Sequence, residues 1–160
     1  MGVTTELAAF CAGIRLEKLP PEVVNRARFL VLDLVGNIVR ARHDAESTAS
    51  FVNTVRAMGM ANGNFGVFGD SARYTATGAA FLNGALAHSL DFDDTHAAGS
   101  LHPGAPVIPA ALAAGEMVGA SGADVLAAII AGYEVTCRVA LALPAGEHYD
   151  YDDQRPSDEQ

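Results

Sequence analysis

The chain has 160 residues and a mass of 16.6 kDa; with 50% of residues apolar and 18% charged, it can bury a sizeable core and is not disordered as a whole. Its 19 acidic and 10 basic side chains sum to −9 with no basic cluster, which excludes a nucleic-acid surface, since neutralising phosphates needs a concentrated positive face. Glu147 to Gln160 alone hold six acidic residues and one arginine, so these fourteen residues contribute −5 and the body only −4.

Alanine (30) and glycine (16) dominate a chain without tryptophan, a composition suited to closely packed helices. From Thr5 to Arg15, Leu7, Phe10, Cys11 and Ile14 follow helical spacing behind a cap at Thr4 or Thr5. Pro20 and Pro21 open a long amphipathic helix to about Arg42, whose apolar face runs Val23, Val24, Ala27, Leu30, Val31, Leu34, Val35, Ile38. A third helix is expected from Glu46 or Ser47 to Met58. The glycine-rich stretch Gly59 to Asp70 reads as a turn with one short β segment near 65–68. Helical spacing returns from Thr75 to Leu90, from Pro103 to Val118 and from Ala123 to Leu143, where Pro144 and Gly146 stop it. The fold class is therefore all-α and bundle-like, in one domain over 1–146, with 147–160 an acidic tail expected to be disordered.

Cys11 and Cys137 are too few for a disulfide framework and lack zinc-site spacing, so two buried thiols in a reducing compartment are expected. The N-terminus has no basic region before an apolar stretch, and Ala97 to Gly115 is interrupted by His102 and three prolines, so a cytoplasmic protein with no membrane span is the expectation.

Three of the five histidines and three carboxylates lie between His88 and His102. A polar loop between two apolar helices cannot bury its backbone cheaply, and its side chains can converge on a ligand. Pro103 pre-sets the next helix, whose free N–H groups would face an anion such as a substrate carboxylate near His102. A purely structural use of the same residues has Asp93 and Asp94 capping a helix or turn and His88 and His96 solvated, with His88 at a helix C-terminus balancing the dipole. A metal set of Asp91, Asp93 and His96 lacks any matched ligand motif. The segment Asp91-Phe92-Asp93-Asp94-Thr95 also resembles the DxDxT motif of haloacid-dehalogenase-like phosphatases, with Asp91 as nucleophile and Asp93 as acid/base. That motif belongs after a buried strand, and here it follows a helical run.

The run FLNGALAHSLDFDDTH followed by LHPGAPVIPAALAAGE resembles the signature region of the MmgE/PrpD family, with LVLDLVGNIVRAR upstream and AGYEVTCRVALAL downstream in the same order. Its members include 2-methylcitrate dehydratase, cis-aconitate decarboxylase and iminodisuccinate epimerase. The resemblance implies an all-helical main domain, a smaller α+β lid domain and a homodimer, no metal or organic cofactor, and proton transfer at a carbon next to a carboxylate of a small di- or tricarboxylic acid. Asp91, Thr95 and His102 match the family's active-site positions in this block: His102 as general acid/base, Asp91 orienting it or exchanging protons itself, Thr95 hydrogen-bonding a substrate carboxylate. Asp94 and His96 are further substrate-binding candidates.

The resemblance ends near His148, where the family continues into a glycine- and histidine-containing loop, and the family's catalytic lysines have no counterpart; Lys18 is in the wrong place. A partial member, inactive alone, with uncovered apolar helix faces that self-associate or destabilise it, is therefore expected. The alternative from another class is a non-catalytic helical dimerisation module.

Overall fold

The computed structural model describes residues 2–142, so the expected helix stops at Pro144 and Gly146 and the acidic tail lie outside the described residues. Within them the chain forms six α-helices and one two-stranded antiparallel sheet, in agreement with the all-α expectation. No described helix is long and apolar enough to cross a membrane.

Helix α1 (Val3–Ala12) starts from Gly2, without the expected threonine cap, and buries no residue completely. Leu7, Cys11 and Ile14 are half-buried, and α1 lies along the last helix; Phe10 is instead exposed, with the Arg138 guanidinium 5.1 Å above its ring. A single 3₁₀ turn (Leu16–Lys18) leads to α2 (Pro21–Asp44), in which Pro21 occupies the first turn where its missing N–H costs nothing. Helix α2 buries Ala27, Leu34 and Ile38 of the predicted stripe and Ala41 beyond it, while Val23 at its start is exposed. Helix α3 (Thr48–Ala57) buries Val52 and Val55 and is tied back to α2 by the Thr48 hydroxyl, which donates to the Ala41 carbonyl at 2.7 Å.

The β segment is displaced from its predicted place. Strand β1 covers Ala61–Gly66 and pairs with β2 (Arg73–Tyr74), Phe65 opposite Tyr74 and Gly66 opposite Arg73, with an irregularity between Ala61 and Phe65. Val67 and Phe68 leave the sheet because a side chain takes over the pairing. Asn83 accepts from the Phe68 N–H at 3.0 Å and donates to the Gly66 carbonyl at 3.1 Å. Of the three apolar residues read there, Phe65 is in the ladder, Val67 is buried in the core and Phe68 is exposed.

Between the strands Asp70 gathers three donors: the Ala72 N–H at 2.9 Å, the Tyr74 hydroxyl at 2.9 Å and Arg42 at 3.1 Å. Burial works to raise the Asp70 carboxyl, yet these donors outweigh it and hold it below its ordinary 3.8. Tyr74 is pushed up, first by burial and then by Asp70. A depressed carboxyl contributes stability that is present above pH 3.8 and lost as pH falls through its folded value. Asp70→Asn should therefore flatten the acid limb of a melting-temperature profile, and an unchanged limb would refute this assignment.

Helix α4 (Ala76–His88) is the centre of the molecule, burying Gly78, Ala79, Leu82, Asn83, Leu86 and Ala87 against α2, α3, α5 and the hairpin. Its start is capped by the Thr75 hydroxyl, which accepts from Gly78 N–H at 3.1 Å. It packs most closely on α5 (Gly104–Val118). Pro109 inside α5 has no N–H to offer the Ala105 carbonyl four residues earlier, and that carbonyl faces Gly84 of α4, where a Cβ would come to 2.8 Å. Backbone against backbone at this crossing sets the end of α4 beside the start of α5. Helix α6 (Gly122–Leu141), capped by Ser121, closes the bundle with Ile129 and Ile130.

Candidate functional site

The site is built where α4 stops. His88 is the last residue of α4, and the chain turns back through Asp91, whose N–H bonds the His88 carbonyl at 3.0 Å and whose φ of 56° is left-handed. An aspartate tolerates that region better than a branched residue. Two residues on, Asp93 is carried inside with its side chain 0% exposed. Its Oδ1 and Oδ2 lie 3.0 and 3.2 Å from His88 Nδ1, and its Oδ1 lies 3.6 Å from His102 Nδ1. The two imidazoles sit 4.8 Å apart, tilted by 59°.

Asp94 holds the loop to two helices at once. Its Oδ1 accepts from the Gly104 N–H at 3.0 Å and its Oδ2 from the Tyr133 hydroxyl at 3.0 Å. The anion expected at the start of α5 is thus the protein's own Asp94, which occupies the first N–H of that helix. Burial first, and then Asp94, drives the Tyr133 hydroxyl far above its ordinary 10.0, and burial also raises Cys137. His96 is likewise engaged internally: its Nδ1 accepts from the Gly99 N–H at 3.0 Å, and its backbone bridges to Leu101. Thr95 and Asp91 are exposed. Cys11 and Cys137 are free thiols of intermediate exposure.

His88 and His102 line one end of an open cleft of about 690 Å³, whose walls include Thr77, Phe81, Ala105 and Pro106. No lysine or arginine lines it among the described residues. His88, Asp91, Asp93 and His102 each present one donor atom within 4.8 Å of the others, near enough for a single cation to reach all four. This set differs from the one read in sequence: His96 is absent from it, and His88 and His102 join. Of the predicted site residues, Asp91 and His102 come together; Asp94, Thr95 and His96 lie on the same loop but outside this group.

Sequence reasoning placed His88 in solvent and gave Asp93 to a cap, to phosphotransfer or to a metal set with His96, never to a pairing with His88. The available signal was the density of histidines and aspartates from 88 to 102; what hid the pairing was the turn at Asp91, which no local pattern announces. The phosphatase motif, in turn, stands after a helix, and the sheet among the described residues is a two-stranded antiparallel hairpin rather than the parallel sheet that chemistry is built on.

Comparison with known proteins places this chain in a family. Residues 5–154 match the MmgE/PrpD N-terminal domain, running past His148, where the sequence reading ended the resemblance. A cis-aconitate decarboxylase-like protein, oryM, of Aspergillus oryzae is 31% identical over 153 residues, 88% of this chain and 30% of that protein. The cis-aconitate decarboxylase of Aspergillus terreus is 28% identical over 89% of this chain and 30% of its own length, and the human one 30% identical over 86% and 29%. No solved structure gives a significant match. The chain spans about 30% of the length of these relatives. With a match over nearly its whole length, the chain belongs to the MmgE/PrpD family and carries that family's N-terminal domain.

Proposed function

We propose that this chain carries the proton-transferring part of a lyase or isomerase site for a small di- or tricarboxylic acid, incomplete without the remaining length its relatives possess. The observation that carries the reading is the convergence of Asp91 and His102 around the buried Asp93 carboxylate, with His102 at the cleft. A C–H beside a carboxylate is a poor acid, so a base must be positioned on it and the developing enediolate charge stabilised. His102 is the base, since an imidazole nitrogen facing the cleft can take up a proton and return it. Asp91, exposed beside it, orients it or exchanges the proton, and Thr95 hydrogen-bonds a substrate carboxylate. The names of the relatives point to cis-aconitate-like substrates. The same geometry indicates what is missing: a polycarboxylate needs cationic partners, and no lysine or arginine lines the described cleft.

The purified chain is therefore expected to give no turnover of cis-aconitate, 2-methylcitrate or iminodisuccinate by NMR product assay, and clear turnover would refute the partial-site reading. The catalytic roles are tested in a chimera in which this chain replaces the matching part of the Aspergillus oryzae relative. If the chimera turns over cis-aconitate, His102→Gln and Asp91→Asn should each lower kcat by about 10²–10⁴-fold. Unchanged rates in both would overturn the assignment.

A second reading, self-association, is favoured by one surface. Phe29 and Leu32 of α2 are 64% and 68% exposed, with Val39 on the same helix also uncovered. A homodimer or higher assembly through this face predicts a mass by light scattering that rises with concentration and falls back on Leu32→Asp. A monomer at all concentrations would dismiss it.

A further inference from the structure

Resting on the reading of His102 as acid/base, we propose that Asp93 is its positioning residue, fixing which ring nitrogen of His102 carries the hydrogen. The buried Asp93 carboxylate faces two imidazoles, and both turn the same atom, Nδ1, toward its Oδ1. A carboxylate only accepts, so a bare Nδ1 lone pair at either position would be repelled by it. Both rings are thereby held with hydrogen on Nδ1. For His102 this leaves Nε2 as the basic nitrogen, the tautomer opposite to the one free imidazole favours.

The two rings do not share Asp93 equally. His88 is bonded at 3.0 Å, whereas His102 at 3.6 Å is just beyond hydrogen-bond reach, and its Nδ1 is buried with no other partner. A buried donor without an acceptor is unfavourable, and Asp93 is the acceptor toward which this one points. A movement of about half an ångström closes that bond, within the rearrangement that catalytic hydrogen bonds undergo when substrate binds. His88, 53% exposed at the end of α4, is the competitor that holds Asp93 until then.

The test is the tautomeric state of each histidine in the ¹⁵N-labelled 160-residue chain, read from long-range proton–nitrogen ring correlations above about pH 7.5, where ordinary imidazole is neutral. His88 and His102 are expected as Nδ1–H. His96 is an internal control of opposite kind, because its Nδ1 accepts from Gly99 and its hydrogen must be on Nε2. In Asp93→Ala, His102 should return to mainly Nε2–H while His96 does not change. His88→Ala, which frees Asp93 for His102, should keep His102 as Nδ1–H and slow the exchange of that proton with water. His102 found as Nε2–H in the unmodified chain overturns the proposal, as does a tautomer indifferent to Asp93→Ala in a folded variant. One equivalent of divalent metal retained through purification also overturns it, since a cation would displace the Nδ1 hydrogens. Should Asp93→Ala not fold, the unmodified chain and His88→Ala still decide. None of these spectra depends on turnover, so unchanged rates in the His102→Gln and Asp91→Asn chimeras alongside the expected tautomers would remove the catalytic reading while Asp93's hold on His102 stands.

Discussion

Gly104→Ala is expected to cost the folded chain about 3 kcal/mol, a lost helix-start bond contributing about 1 and a stranded buried hydroxyl the rest. A Cβ at residue 104 would lie 2.2 Å from Asp94 Oδ1 and 2.8 Å from the Tyr133 hydroxyl. Asp94 has nowhere to withdraw to without giving up both of its bonds, so the carboxylate is expelled and Tyr133 loses its acceptor. For a chain of this size that corresponds to a melting temperature lower by about 6–12 °C. The cause can be isolated. If Gly104→Ala acts by displacing Asp94, then Asp94→Ala should add little in the Gly104→Ala background, and fully additive losses would contradict the mechanism. Because Asp94 ties the 91–102 loop to α5 and α6, the same variant should shift the ring resonances of His88 and His102.

Gly63→Ala should be more damaging, by at least about 3 kcal/mol, because what it meets is main chain. The added carbon would fall 2.0 Å from the Tyr74 carbonyl oxygen and 2.5 Å from the Thr75 nitrogen. Tyr74 is buried and tied to Asp70, and Thr75 both bonds the Met60 carbonyl at 2.8 Å and caps α4. Strand β1 must therefore part from β2 or drag the start of α4 with it. Gly36→Ala is the matched control: the same methyl, placed on α2 with nothing within 4 Å, should stabilise by about 0.5–1 kcal/mol through helix propensity. Denaturant melts of the three proteins check the contrast. A Gly63→Ala loss no larger than about 1 kcal/mol, the size of a propensity effect, would show that the hairpin yields more easily than its packing implies.

Alkaline stability follows from the same site. Tyr133 is neutral in the fold far above the pH at which the unfolded chain would ionise it. A raised value means stability that is whole below pH 10.0 and is lost as pH rises beyond it. Tyr133→Phe should remove part of that alkaline slope in pH-dependent melts, and an identical slope would count against the buried hydroxyl as its source.

Several elements were readable from spacing because their determinants are local. Pro21 and the stripe through Ala27, Leu34 and Ile38 define α2, and the Ser121 cap and Ile129–Ile130 define α6, all within a few turns of chain. The β segment meets its expected place only at Phe65 and Gly66 because β1 and β2 find each other across a bend and because Asn83, seventeen residues from Gly66, takes the Gly66 carbonyl and the Phe68 N–H. Among the site residues, Asp91 and His102 could be named through family resemblance. His88 and Asp93 could not, since their pairing depends on a left-handed turn at Asp91 and on the close crossing of α4 and α5 at Gly84.

Composition, periodicity and the 88–102 cluster by themselves determined a helical domain and the loop on which its polar chemistry lies. Only the tertiary structure decided how that loop divides its labour: Asp94 and His96 bound to the protein's own N–H groups, Asp93 buried between two imidazoles that line the cleft, Asp91 exposed beside them. The reason is that a carboxylate's surroundings are set by which helices reach it from elsewhere in the chain, and Tyr133 stands thirty-nine residues from Asp94.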